Sequence, residues 1–145
     1  MPLKRVATSL TYAGALPFIG VTFCIGAAWR LPFDLDAVTV LTLYSAVICS
    51  FLAGIHWQIG LTQSVANNYC LFFSNFVALL AWALLLIDSS WKVIAAFAVL
   101  FVALLGFDTT LYKRRLIPGW FFALRIRVSI LVVAVLAFTA VSLRQ

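Results

Sequence analysis

The single histidine of the chain, His56, lies in the stretch GIHWQIG (residues 54–60), close to the end of a long apolar segment. An imidazole can ligate haem, carry protons near neutral pH or form hydrogen bonds. A haem would need a second axial ligand or an open-site role, and the sequence holds no second histidine. We therefore favour a structural hydrogen bond across a helix interface. A proton relay with Asp108, or contact with a lipid or partner subunit, remains open.

Asp108 and Arg125 flank the short basic segment KRRLIPGW (residues 113–120), so the apolar segments that carry them should pack together. An Asp–Arg pair in a low dielectric can be bidentate and can fix the register of two helices. We favour this structural clamp. The alternatives are a charged pocket for a head group or an anion, and snorkelling of the two side chains toward the interface without pairing.

These few polar residues are embedded in a chain that is 66% hydrophobic and 10% charged over 145 residues. Soluble domains carry about a quarter charged residues, so the solvent of this chain is predicted to be lipid. About 20 apolar residues cross the hydrocarbon as a helix. The sequence predicts one all-α polytopic domain, residues 1–145, forming a bundle of five transmembrane helices. The predicted spans are residues 9–29, 37–61, 70–87, 91–111 and 120–143.

Basic residues are unevenly divided between the two ends of the predicted spans. Cytoplasmic loops carry an excess of lysine and arginine. One side holds Lys4, Arg5, Lys113, Arg114, Arg115, Arg125 and Arg127, and the other holds Arg30, Lys92 and Arg144. The distribution predicts a cytoplasmic N-terminus and a C-terminus outside.

With this orientation, independent helices deliver several polar side chains to one layer near the cytoplasmic surface. Unpaired polar groups are expensive in a membrane, so these residues should satisfy one another. The predicted polar network consists of Tyr12, His56, Asn75, Asp108 and Arg125. Trp57, Trp120 and Arg127 are candidate contacts for lipid or a partner subunit.

Known catalytic motifs are missing from the sequence. It contains no H-E-x-x-H, P-loop, G-x-S-x-G or Rossmann fingerprint, and Cys24, Cys49 and Cys70 have no C-x-x-C spacing. We expect no catalytic residues, no cofactor, no metal site and no enzymatic activity. A basic patch interleaved with aromatics on a soluble module is also missing, which argues against nucleic acid as a partner.

Three stretches carry a resemblance: TYAGALPFIG, YSAVICSFLAGIHWQIGL and PGWFFALRIRVSILV. They resemble a family of small five-span proteins of unknown function, found in proteobacteria and, as the transmembrane-protein-69-like group, in mitochondria. The positions that match are Tyr12, Gly14, Pro17, Ser50, Phe51, Gly54, His56, Trp57, Pro118, Trp120 and Arg125. The resemblance implies a multi-pass protein of the bacterial inner membrane, or of the mitochondrial inner membrane if the source is eukaryotic. It implies no catalytic activity.

Three functions are compatible with these observations. The leading hypothesis is an accessory or assembly subunit of a larger respiratory or photosynthetic membrane complex, with membrane lipids and other membrane subunits as partners. The second is a small transporter or channel that uses the layer of His56, Asp108 and Arg125. The third is a lipid- or quinone-binding protein with a groove near Trp57, Arg125 and Trp120.

Overall fold

The computed structural model describes residues 2–63 and 68–144, and nearly all of them lie in helices. The five α-helices are α1 (Leu3–Gly26), α2 (Ala37–Thr62), α3 (Tyr69–Leu84), α4 (Trp91–Lys113) and α5 (Gly119–Arg144), with a single 3-10 turn at Pro32–Asp34. No strand occurs in these two stretches. Four helices, α1, α2, α4 and α5, are long and apolar enough to cross a membrane. The chain is therefore an all-helical, multi-pass type of membrane protein.

Helix α3 is shorter than the other four. Its 16 residues rise about 24 Å along the helix axis, less than the hydrocarbon thickness of about 30 Å. The predicted third span extends to residue 87, three residues beyond the end of the helix. Over that extension the N–H groups of Leu85, Leu86 and Ile87 donate to carbonyls three residues earlier, so the chain continues as a tighter turn.

Helix α1 begins at Leu3, before the predicted start at residue 9, and ends at Gly26. A helix satisfies its own backbone, so it can continue into the head-group region where hydropathy no longer marks it. Its end is a Schellman motif: the N–H of Trp29 donates to the carbonyl of Cys24, and that of Ala28 to Ile25. Ala28 takes the left-handed position of this motif, with φ 51°.

Helix α2 begins at an N-cap aspartate. The Asp36 carboxylate accepts hydrogen bonds from the backbone N–H of Thr39 at 2.8 Å and from its hydroxyl at 2.6 Å. These bonds satisfy donors that the first helical turn leaves free. They also hold the pKa of the Asp36 carboxyl below its ordinary value, because both stabilise the ionised form.

Helix α2 packs against α1, α3 and α4, whereas α5 packs against α1 and α4. Within the described residues α2 and α5 do not pack directly on each other, and α1 spans the distance between them. Tyr44 of α2 donates to the carbonyl of Gly14 at 2.8 Å, and the hydroxyls of Thr22 and Thr139 lie 2.8 Å apart. The ring of Phe18 of α1 packs edge to face against the ring of Tyr44. This arrangement leaves a space between α2 and α5 behind α1.

Candidate functional site

Three buried side chains from three helices meet at one carboxylate. His56 Nε2 lies 2.7 Å from Asp108 Oδ1, and Arg125 Nε donates to Asp108 Oδ2 at 2.8 Å. Their exposed fractions are 1% for His56, 2% for Asp108 and 5% for Arg125. A carboxylate paired with a guanidinium accepts and does not donate, so the N–H group at His56 Nε2 donates this hydrogen bond. We call these three residues the triad.

The packing of the helices explains why Asp108 is the central residue. Helix α4 contacts both α2 and α5, while those two do not pack on each other. An aspartate on α4 can therefore give one oxygen to each neighbour. The Asp108 carboxylate and the Arg125 guanidinium together carry no net charge, which suits a site withdrawn from water. The triad links α2, α4 and α5 through one carboxylate.

The His56 side of the triad is closed by aromatic rings. The imidazole centroid lies 4.9 Å from the ring of Phe107 and 5.8 Å from that of Phe73. Those two rings are themselves stacked, with centroids 4.1 Å apart and planes at 10°. The other ring nitrogen, Nδ1, is buried and has no hydrogen-bond partner within residues 2–63 and 68–144. On this side the imidazole is packed against aromatic rings.

The Arg125 side of the triad keeps unused donors. Arg125 binds Asp108 through Nε alone, instead of the two parallel bonds that such a pair can form. Its Nη2 is buried and makes no hydrogen bond with the described part of the chain. One turn further along α5, the hydroxyl of Ser129 is also buried, 2% exposed, and likewise unpartnered there.

Arg125 and Ser129 both line a cavity of about 460 Å³ between α1, α2 and α5. This volume lies in the range of small-molecule sites, about 300–1,000 Å³. Thr11 adds a hydroxyl, which donates to the carbonyl of Ala7 at 2.7 Å. The other lining side chains are apolar or glycine. The cavity thus combines a long apolar surface with one polar position on α5.

The mouth of the cavity faces the lipid side of the bundle. Leu10 of α1 and Val47 and Phe51 of α2 line the cavity and are also largely exposed on the surface. At the far end Phe18 and Phe101 pack edge to face, with ring centroids 5.7 Å apart. The cavity therefore opens to the outer surface of the bundle between α1 and α2.

The structure brings together three of the five residues of the predicted polar network. Tyr12 is 40% exposed and makes no hydrogen bond to the triad. Asn75 is exposed on α3, and its Nδ2 donates to the carbonyl of Leu71 in the same helix at 2.9 Å. The prediction placed residues at a common depth, but equal depth does not place two side chains on facing sides of their helices.

The three predicted contacts for lipid or a partner lie at different places. Trp57 is 40% exposed and lines a groove of about 180 Å³ between α2 and α3, beside Gly54 and Asn75. Trp120 is half-buried against the core, and Arg127 is exposed on α5. Their contact with lipid or a partner stays a prediction.

Sequence reasoning missed Ser129, the aromatic wall formed by Phe73 and Phe107, and the cavity itself. Ser129 had a signal: it follows Arg125 by four residues, so both occupy one face of a helix. Phe107 had a weaker one, as the neighbour of Asp108. The cavity had no signal in the sequence, because it depends on which helices do not pack against each other.

No group of three or more His, Cys, Asp or Glu side chains in the part of the chain that the structure describes could hold a metal ion. Cys49 and Cys70 are buried and Cys24 is half-buried, and all three are free thiols.

Residues 3–141 match a family model described as "Protein of unknown function (DUF3429)". No curated protein and no solved structure matches the chain.

Proposed function

The chain belongs to the DUF3429 family, whose description assigns no activity, and we propose from its geometry that it is a non-enzymatic membrane protein that binds a lipid-soluble amphiphile. The occupied site is the cavity between α1, α2 and α5. The observation that carries the proposal is a pair of buried side chains, Arg125 and Ser129, that line a mostly apolar cavity and whose Nη2 and Oγ atoms have no hydrogen-bond partner among the described residues.

Buried donors without acceptors are unfavourable, at about 1–3 kcal/mol each. An amphiphile whose head presents oxygen acceptors would relieve both groups, and its tail would cover the apolar lining. Entry from the bilayer fits the position of the mouth, where Leu10, Val47 and Phe51 are exposed to lipid. The ligand would then never need to cross the aqueous phase.

The test is a cavity-filling substitution with a matched control on the same helix. A Cβ added at Gly14 meets only the Tyr44 hydroxyl, at 4.0 Å, so Gly14→Leu can extend into the cavity it lines. Gly20 is exposed, lies outside the cavity, and a Cβ there meets nothing within 4 Å, so Gly20→Leu is the control. Native mass spectrometry of the protein extracted in mild detergent measures the retained amphiphile.

We expect the Gly14→Leu protein to retain at least tenfold less amphiphile than the wild type and Gly20→Leu. Equal retention by both variants, with unchanged helical content by circular dichroism, would contradict the proposal.

The membrane arrangement is part of the same proposal. We place the protein in the bacterial inner membrane, or the mitochondrial one in a eukaryote, near the transmembrane-protein-69-like group. Helix α3 with its following turn would form a fifth crossing, leaving the N-terminus in the cytoplasm and the C-terminus outside. The excess of exposed basic residues at the α4–α5 junction supports this orientation. Fusions of a reporter that is active only in the cytoplasm, placed after residue 145, test this orientation. Activity of that fusion would show that the C-terminus is cytoplasmic and would reverse the assignment.

A second candidate is the accessory or assembly subunit of a respiratory or photosynthetic complex. It draws on the groove between α2 and α3, where Asn75 lies exposed beside Gly54 and Trp57. An amide in hydrocarbon gains from a hydrogen bond to a neighbouring helix, and small residues allow that helix to approach closely. A transmembrane helix of a partner subunit would therefore pack here. Asn75→Leu should reduce co-purification of that subunit, while Asn68→Leu, outside the groove, should not.

Transport ranks behind these two functions. A channel or proton pathway through the triad would have to pass His56, whose ring is enclosed by the stacked rings of Phe73 and Phe107. Flux assays in proteoliposomes with His56→Ala test this order, since a flux that depends on His56 would move transport to the first place.

A further inference from the structure

Resting on the proposed function, we infer that the cavity selects an uncharged amphiphile whose head presents a carbonyl-type oxygen, and that it discriminates against the corresponding acid. The class includes membrane quinones and fatty-acyl esters. The recognising groups are the Nη end of Arg125 and the hydroxyl of Ser129.

The first step concerns the type of hydrogen-bonding group. A guanidinium offers donors and no acceptor, and a hydroxyl can also donate. Arg125 uses Nε for Asp108, and its Nη2 makes no hydrogen bond with the described residues. Ser129 lies four residues later, about 6 Å along the helix axis. A ligand head that meets both groups must present oxygen acceptors, and an ammonium head would face the positive charge of Arg125.

The second step concerns charge. The Asp108 carboxylate already balances the Arg125 guanidinium at 2.8 Å. An anionic head would add a net negative charge beside a buried, neutral ion pair, which is unfavourable inside a membrane. A carbonyl oxygen accepts the same hydrogen bonds and leaves the pair neutral. Charge balance therefore favours the uncharged head.

The third step concerns the ionisable groups near the cavity that could offset an anion. Arg125 is the one ionisable residue among those that line the cavity on α1, α2, α4 and α5. His56 does not line it, but it touches the other oxygen of Asp108. An acid could thus bind without net charge only with the uptake of one proton, held on its own carboxyl group or at the triad. An uncharged ligand needs no such proton, so proton uptake distinguishes the two classes.

The fourth step concerns the tail. On α1 the cavity runs from Ala7 to Phe18, about 16 Å along the axis. The lining beyond Arg125, Thr11 and Ser129 is apolar, and the mouth opens to lipid between α1 and α2. A head on α5 and a tail along α1, leaving through the mouth, fit this shape.

The experiment compares four probes that carry the same ten-carbon chain. They are decyl-benzoquinone, methyl decanoate, decanoate and decylbenzene, added to the protein in lipid nanodiscs. Dissociation constants are measured by competition against a photoreactive decyl-quinone. Proton uptake is measured by calorimetry in two buffers of different ionisation enthalpy. The ratio of the quinone and ester constants shows which of the two carbonyl sources the site prefers.

The variant is Ser129→Ala, and its matched control is Ser142→Ala, an exposed serine on the same helix whose hydroxyl donates to the carbonyl of Phe138. We expect at least one carbonyl probe to bind tenfold or more tighter than decanoate and decylbenzene, without proton uptake. Ser129→Ala should weaken that probe about fivefold, as expected for one hydrogen bond, and leave decylbenzene unchanged. Ser142→Ala should change neither.

Two results would overturn the inference and leave the proposed function standing. In the first, decanoate binds as tightly as the carbonyl probes, with uptake of one proton. In the second, decylbenzene binds equally well and Ser129→Ala has no effect. If none of the four probes competes and Gly14→Leu retains its amphiphile, the cavity is not a ligand site and the proposed function fails with the inference.

Discussion

The two sides of the triad use one carboxylate in different ways. Toward His56, the site is closed: the imidazole is 1% exposed and lies against the stacked rings of Phe73 and Phe107. Toward Arg125, the site is open to a cavity, and one guanidinium nitrogen and the Ser129 hydroxyl stay unpartnered among the described residues. The contrast teaches that one buried ion pair can be enclosed by packing on one side and border a cavity on the other. It also predicts that stability and ligand binding can be separated by mutation.

The largest expected effect on stability comes from replacing Asp108, the residue that both sides of the triad share. Asp108→Asn should destabilise the protein by about 3–5 kcal/mol, because it leaves the Arg125 charge buried without its counter-charge. Thermal unfolding in detergent, followed by circular dichroism, measures the change. Asp88→Asn is the control, since Asp88 is exposed between α3 and α4.

A second variant keeps this prediction open to contradiction if Asp108→Asn does not fold. Asp108→Leu combined with Arg125→Met removes both charges, and replacing a buried ion pair by apolar residues is often neutral or stabilising. This double variant should recover most of the lost stability. A double variant as unstable as Asp108→Asn would show that the charge balance is not what the triad contributes.

An intermediate effect tests the separation of the two sides directly. His56→Leu should cost about 1–3 kcal/mol, because it removes one hydrogen bond to Asp108 and leaves that oxygen without a donor. Amphiphile retention should not change, since His56 does not line the cavity. Ser129→Ala should do the opposite, with little change in stability and weaker binding.

Both variants are measured side by side, by thermal unfolding and by native mass spectrometry. A His56→Leu protein that folds normally but loses its amphiphile would merge the two sides into one functional unit and end the comparison.

The smallest expected effect on stability comes from an exposed carboxylate, that of Asp36, in comparison with the buried carboxylate of Asp108. Asp36 caps α2, and hydrogen bonds from Thr39 lower the pKa of its carboxyl. A lowered folded-state pKa gives stability that is complete above the ordinary aspartate range and is lost as the pH falls through the folded-state value. Asp36→Ala should therefore cost about 0.5–1 kcal/mol at pH 7, and the difference from wild type should shrink below about pH 4.

Unfolding titrations of the wild type and Asp36→Ala between pH 3 and pH 7 measure this difference. A gap that stays constant with pH would mean that the side chain stabilises α2 by something other than its ionised carboxylate.

The helical, membrane-spanning character of the chain follows from composition, because almost any chain this apolar must satisfy its backbone within helices. The limits of the helices follow less well. Hydropathy missed the first turns of α1, where Lys4 and Arg5 are helical but polar. It also overestimated α3, whose last apolar residues form a turn instead of a helix.

The triad was accessible to reasoning about depth and pairing cost, since a histidine, an aspartate and an arginine in hydrocarbon need partners. The rotation of each helix about its axis was not. Tyr12 and Asn75 were expected at the depth of the triad, but both are exposed and make no hydrogen bond to it. The cavity lay still further out of reach, because it results from the separation of α2 and α5, which is a property of the whole bundle.

The position of Asp108 between its two partners has a consequence for biogenesis. Asp108 and Arg125 are 17 residues apart, so α4 and α5 can enter the bilayer as one hairpin with their charges already neutralised. His56 lies on α2, which is synthesised before that hairpin. The bond between His56 and Asp108 can therefore form only after α4 has entered the bilayer beside α2.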